Sequence, residues 1–110
     1  MTQVAVIHAA FEDTPRTVAL VEVGERSVTD ALEYAYRWTQ NVMDSWSLKM
    51  DQDGNDDVTV VAKLPVGKDG KTRGLRSTST GDHMLLDNIK YKVDSFGFSE
   101  MYVYLNDDRN

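Results

Sequence analysis

Apolar and polar positions change period twice along this chain. Val4-Ala5-Val6-Ile7-His8 is short and rich in β-branched residues, which suits a buried strand. Glu12-Asp13-Thr14-Pro15-Arg16 interrupts it, and Val18 to Val23 resumes the pattern up to Gly24, predicting a second strand. Pro15 falls between the two, where its missing N–H costs no ladder hydrogen bond. The period then lengthens. Ser27-Val28-Thr29-Asp30 supplies a capping hydroxyl and an acid at the third position, the signature of a helix start. Val28, Ala31, Leu32, Ala35, Trp38 and Val42 recur at three- and four-residue spacing and form one apolar stripe, while Glu33 and Arg37 make an i,i+4 pair on the outer side. This predicts a helix ending near Asn41 or Met43, with Trp46 beyond it as an aromatic anchor.

From Asp51 the period returns to two. Asp51 to Asp57 is a polar turn, and Val58 to Leu64 reads as a strand. After Pro65, the run Gly67 to Gly74 carries three glycines and is predicted to be a mobile surface loop, since glycines cost entropy to order. Met84-Leu85-Leu86, then Asp87-Asn88, then Ile89 to Val93 predict a hairpin whose turn residues tolerate positive φ. Ile89, Tyr91 and Val93 share one face of the return strand and Lys90, Lys92 and Asp94 the other, so the sheet should have a dry side and a wet side. Phe96-Gly97-Phe98 and Met101 to Leu105 suggest a final aromatic strand, and 106–110 a frayed tail. The predicted fold is α+β, an antiparallel or mixed sheet of roughly four to six strands with one main helix packed on one face. A β-roll or small open barrel is the nearest rival.

Composition narrows the function classes. The chain of 110 residues is 41% hydrophobic and 27% charged, which fits one domain with a single modest core, taken as residues 1–110. No apolar run reaches the roughly 20 residues needed to cross a bilayer, and the first residues lack a charged leader, so no membrane contact is expected and the default address is cytoplasmic. With no cysteine there is no thiolate nucleophile and no sulfur-ligated zinc site. The net charge of −6 argues against generic attraction to nucleic acid, but its distribution is uneven. Residues 63–76 hold Lys63, Lys68, Lys71, Arg73 and Arg76 against Asp69 alone, a basic stretch in an acidic protein.

Candidate chemistry is sparse. Asp51, Asp53 and Asn55 alternate as calcium ligands do, but the glycine falls at the fourth position and Ala62 occupies the twelfth, where a bidentate glutamate is needed. His8 and His83 with Asp82 would form a metal or acid–base site only if the strands carrying them bring all three side chains together. Ser77-Thr78-Ser79-Thr80-Gly81 lacks the elbow of a serine hydrolase, and a strand follows Gly81, which removes the helix-end phosphate cradle. What remains beside Arg76 is a nest of N–H groups and hydroxyls fit either to hold an anion or to bond local backbone. Trp38 belongs to the buried stripe and Trp46 is the better surface candidate of the two, with core packing the stronger reading for both.

The order of these features resembles a loose group of small proteins of unknown function carried by phages, plasmids and bacterial genomes. The likeness rests on Ala31 to Asn41, on Asp44-Ser45-Trp46-Ser47, on the stretch Arg76-Ser77-Thr78-Ser79-Thr80-Gly81-Asp82 before a strand, and on Gly97-Phe98 near the end. YodL-like proteins look similar over residues 28–101, with Thr80 and His83 as departures. The resemblance implies a mobile-element setting and transfers no catalytic residue. The functional expectation is a non-enzymatic interaction protein, requiring no cofactor and no metal. It would bind a protein, with nucleic acid as a second partner class, through Lys68, Lys71, Arg73, Arg76, Ser77, Ser79 and Asp82, with Trp46 alongside. Two alternatives are an acidic inhibitor or nucleic-acid mimic using residues 44–57 and 94–110, and a small hydrolase or nuclease using His8, Asp82 and His83.

Overall fold

A computed structural model describes residues 2–101. Its elements are β1 (Gln3–His8), β2 (Arg16–Glu22), α1 (Val28–Arg37), a 3-10 turn (Asp51–Asp53), β3 (Val58–Val60), β4 (His83–Leu86), β5 (Ile89–Val93) and β6 (Phe98–Glu100). The strands form an open sheet in the order β3-β2-β1-β4-β5-β6, and every neighbouring pair is antiparallel. With α1 on one face, the α+β architecture and its single main helix are as the sequence pattern predicts. The expected strand residues 102–105 and the tail 106–110 lie outside the described residues.

Two local devices set the register. Asp87 and Asn88 both take positive φ, 51° and 67°, so the β4–β5 turn twists as a two-residue hairpin requires. In the β1–β2 pair, Val6 faces Ala19 while Ile7 faces Thr17, which leaves Val18 as an extra residue. This bulge lets two consecutive residues of β2, Val18 and Ala19, both be fully buried, which strict alternation would forbid.

The core lies between the sheet and α1. Val4, Val6, Val21, Met84, Leu86, Tyr91 and Val93 come from the sheet, and Ala31, Leu32 and Ala35 from the helix. Ser27 caps α1 as the pattern predicts, its hydroxyl accepting from Asp30 N–H. The helix ends at Arg37, earlier than its apolar stripe implies: Val42 is exposed, and the Thr39 hydroxyl turns back to Ala35 and Tyr36 carbonyls. β3 is likewise shorter than the apolar run that predicted it: the strand stops at Val60, and one further bond to β2, from Val61 N–H to Val18 carbonyl (2.9 Å), closes the pairing.

Candidate functional site

The stretch from Leu75 to Asp82 does not project into solvent. It runs as a strap over the C-terminal end of α1, the segment after it, and the end of β1. Asn41 Nδ2 donates to Leu75 carbonyl (3.0 Å), Gln40 Nε2 to Thr78 carbonyl (2.9 Å), and Thr78 N–H to Thr39 carbonyl (3.0 Å). The Ser77 hydroxyl accepts from Asn41 N–H (2.8 Å), and Leu75 N–H donates to the Ser47 hydroxyl (2.7 Å). Trp46 fixes the start of the strap: its indole Nε1 donates to Arg76 carbonyl at 2.9 Å while the ring sits 1% exposed. Trp46 is therefore a core residue and not the surface aromatic. A large ring is worth most where it is wholly removed from water and its one donor is satisfied.

Under the strap lies an ionic knot. Asp82 is fully buried and accepts from Ala9 N–H (2.8 Å), Ala10 N–H (2.9 Å) and Ser79 N–H (2.7 Å). Arg76 grips both oxygens of the same carboxylate, each at 2.8 Å, and turns its other side to Glu12 at 2.8 and 3.1 Å. The Phe11 ring lies 4.9 Å from the guanidinium carbon. Burial by itself raises the Asp82 carboxyl, but Arg76 and the three backbone N–H groups outweigh it and hold the group well below the usual carboxylate range. Arg76 is correspondingly pushed up by its hydrogen bonds to Asp82, and Glu12 pulled down by its bond to Arg76. Of the two readings of the stretch beside Arg76, the geometry follows the local one: Asp82 bonds the backbone of its own turn at Ser79 N–H and occupies the Arg76 guanidinium itself. Gly81, at φ 96°, makes the turn that allows this, and a Cβ there would press on that of Ala10.

Beside the knot a chain of neutral hydrogen bonds crosses the core. Thr39 donates to Ala35 carbonyl (2.8 Å) and Thr78 donates to Thr39 Oγ1 (2.8 Å). With each hydroxyl proton so committed, His8 Nε2 at 3.1 Å is the donor to Thr78 Oγ1. Burial first, and then the charge of Arg76, push His8 below its ordinary pKa, so the imidazole is neutral. Its Nε2 lies 3.9 Å from Asp82, but the ring is 1% exposed and edge-on to Trp46.

His83 is not part of this group. It pairs with Ile7 across the β1–β4 ladder and shares that residue's face, whereas His8, the next residue along, points to the opposite face with Val6. The set His8, Asp82 and His83 is thus split across the sheet, and no group of three metal-ligating side chains is present among the described residues. Asp53 behaves like Asp82 on a smaller scale: buried, it accepts from Met43 and Asp44 N–H and from Arg37 at 3.4 Å. It ties down the acidic segment after α1 as a structural fastener.

The other basic residues lie differently. Val66 and Thr72 form an isolated antiparallel bridge, Gly67 N–H bonds Lys71 carbonyl (2.8 Å), and Arg73 N–H bonds Pro65 carbonyl (2.8 Å). The loop predicted to be mobile is thus a small hydrogen-bonded finger, with Gly70 at φ 78° at its turn. Lys68, Lys71 and Arg73 are exposed on it, Arg73 pairing with Asp69 at 2.9 Å. At its base a hollow of about 370 Å³ is lined by Arg16, Lys63, Leu64, Pro65 and Val66.

Of the residues expected to bind, Lys68, Lys71 and Arg73 stand together on the finger. Arg76, Ser77, Ser79, Asp82 and Trp46 are joined in the strap and the knot. Glu12, Thr39 and Thr78 complete that interior network and were not among the sequence candidates, because the side-chain contacts that tie them in, Thr39–Thr78 and Glu12–Arg76, span 39 and 64 residues of chain. No family model, curated protein or solved structure matches the chain.

Proposed function

We propose that this is a non-catalytic binding protein that captures a protein partner through the basic finger. The observation that carries the reading is the separation of roles within one stretch of sequence. The cations before Gly74 are displayed on a hydrogen-bonded finger, while the residues after it are consumed in holding the strap. Four cations, Lys63, Lys68, Lys71 and Arg73, face one acid, Asp69, in a chain whose net charge is −6. Val66 beside them is 62% exposed and adjoins the hollow at the finger's base. Cations around an apolar recess suit an acidic segment that carries one apolar side chain, a combination that fits a protein better than a nucleic acid. A mobile-element setting, as the YodL-like resemblance implies, accords with a small binding protein of this kind.

The test uses the full chain and a fluorescein-labelled peptide of alternating Glu and Ser with a central Leu, alongside a single-stranded oligonucleotide. Binding of the peptide, weakened by added salt and lost in the variant K68E/K71E at unchanged urea midpoint, is the expected result. No binding, or binding indifferent to the charge reversal, overturns the reading. Preference for the oligonucleotide would replace the protein partner with nucleic acid.

A further inference from the structure

The far edge of the sheet carries a second surface unrelated to the finger. β6 is an edge strand, paired with β5 on one side and with no strand on the other among the described residues. Its hydrogen-bond phase follows from the bonds at either end: Asp94 N–H donates to Gly97 carbonyl (3.0 Å) and Met101 N–H to Lys90 carbonyl (2.7 Å). The pairs 94/97, 92/99 and 90/101 are therefore the hydrogen-bonded ones, and 93/98 and 91/100 the others. It follows that the N–H and C=O groups of Phe98 and Glu100 point away from β5, toward the open edge.

The side chains of the same two residues lie on the helix side of the sheet, because they face Val93 and Tyr91, both buried in the core. Between β6 and α1 two adjoining hollows of about 200 and 310 Å³ share Glu33, Gly97 and Phe98. Tyr36 closes one, its ring 6.3 Å from that of Phe98 and edge-on to it. Val28, 46% exposed, and Phe96, 96% exposed, border the other. Glu33 and Glu100 are exposed and make no ion pair among the described residues, and Asp94 is paired with Lys92 at 3.6 Å.

We propose that this edge takes an extended segment of a partner protein as a seventh strand, antiparallel to β6, with a Lys or Arg two residues before an apolar or aromatic side chain. Both halves of the recognition come from one register. A residue opposite Phe98 exchanges both backbone hydrogen bonds with it and sends its side chain to the helix face, into the hollow beside Phe98 and Phe96. The residue opposite Glu100, two positions earlier in the segment, sends its side chain to the same face, where Glu100 offers the opposite charge. Moving the cation by one position turns it to the other face of the sheet, toward Lys92. Main-chain pairing supplies affinity here and the alternate side chains supply selectivity.

The test uses the full-length protein with two capped peptides, TTKTFTT and its shifted isomer TTTKFTT, read by isothermal titration and by amide chemical shifts. The first should bind about tenfold more tightly than the second, with shifts concentrated on β6 and on Val28 to Tyr36. Glu100→Pro removes an outward N–H and the carboxylate that meets the cation, with no bond of the β5 ladder, so it should weaken the first peptide by about tenfold and bring the two isomers toward equal affinity. Phe96→Ala alters a side chain that stands in solvent and leaves folding intact, so it separates loss of the hollow's rim from loss of structure. Absence of binding, equal binding of the two isomers, an undiminished affinity in Phe96→Ala, or shifts centred on the finger each overturn the proposal. A dimer in sedimentation that dissociates in Glu100→Pro would place a second copy of this chain on the edge and overturn the assignment to a partner protein. Charge reversal at Lys68 and Lys71 should leave this binding unchanged, which keeps it distinct from the finger.

Discussion

Two Arg–Asp pairs lie within fourteen residues of each other and differ by only 0.1 Å in their closest N···O distance, 2.9 against 2.8 Å, yet they belong to different parts of the protein's physics. Arg73 meets Asp69 at 2.9 Å on the finger, both side chains close to half exposed, where water and salt compete for the charges. Arg76 meets Asp82 at 2.8 Å under the strap, with the carboxylate fully buried and three backbone N–H groups converging on it. The first pair can open at little cost and leaves its cation free for a partner. The second cannot be opened without stranding a buried charge. A few residues of sequence separate a binding group from a structural one, and depth makes the difference.

Asp82→Asn strikes the buried pair hardest: it keeps the volume but removes the charge and turns a donor toward backbone donors. It should lower stability by about 3–5 kcal/mol in urea titration, enough to leave a domain of this size barely folded. Arg76→Met should cost less than Asp82→Asn, because Asp82 keeps its three N–H donors while Glu12 is released to water. An equal loss for the two would mean that the ion pair, and not backbone capture, holds the strap. Next in size is Thr78→Val, which strands His8 Nε2–H and the Thr39 acceptor in the core and should cost about 1–3 kcal/mol. At the bottom is Arg73→Ala, whose thermal midpoint should match the parent protein while binding of the acidic peptide falls.

The same contrast is legible in pH. His8 and His83 both titrate below their ordinary value of 6.5, His8 through burial and then Arg76, His83 through burial and then Lys90. A depressed folded-state pKa means that the stability is complete above 6.5 and is lost as pH falls, since the unfolded chain takes up the proton first. The thermal midpoint should therefore decline from about pH 7 toward pH 5, in the window set by the ordinary histidine pKa. Replacing His83, which lies away from the core, with Gln should remove only part of that slope. Asp82 adds a second loss further down, beginning below its ordinary 3.8, because its folded-state pKa is also depressed. The finger's Asp69 is depressed too, by its bond to Arg73, but its exposure leaves no comparable effect on folding.

Much of the fold was readable from local pattern. The Ser27 cap, the apolar face of Ala31, Leu32 and Ala35, and the Asp87-Asn88 hairpin rest on interactions a few residues long, which is the range over which sequence pattern speaks. The helix overran its true end because Trp38 and Val42 continue the stripe, while Thr39 folds back on the last turn and Asn41 is taken by the strap. By pattern alone Trp46 is open to both a core and a surface role because it stands outside any periodic element, and the structure places it in the core. Its burial depends on Arg76 carbonyl, 30 residues away, and no local pattern records that contact.

Neighbours along the chain set the secondary-structure period, the one-sided sheet, and the crowding of cations into residues 63–76, so all three are legible without the fold. Tertiary structure alone decided which of those cations face water. Arg76 lies three residues from Arg73, and only the arrival of β1's end, with the N–H groups of Ala9 and Ala10 and with Glu12 just beyond, turns it inward. The reason is physical: a charge is buried only where several partners from distant parts of the chain meet it at once, and that convergence exists only in the fold.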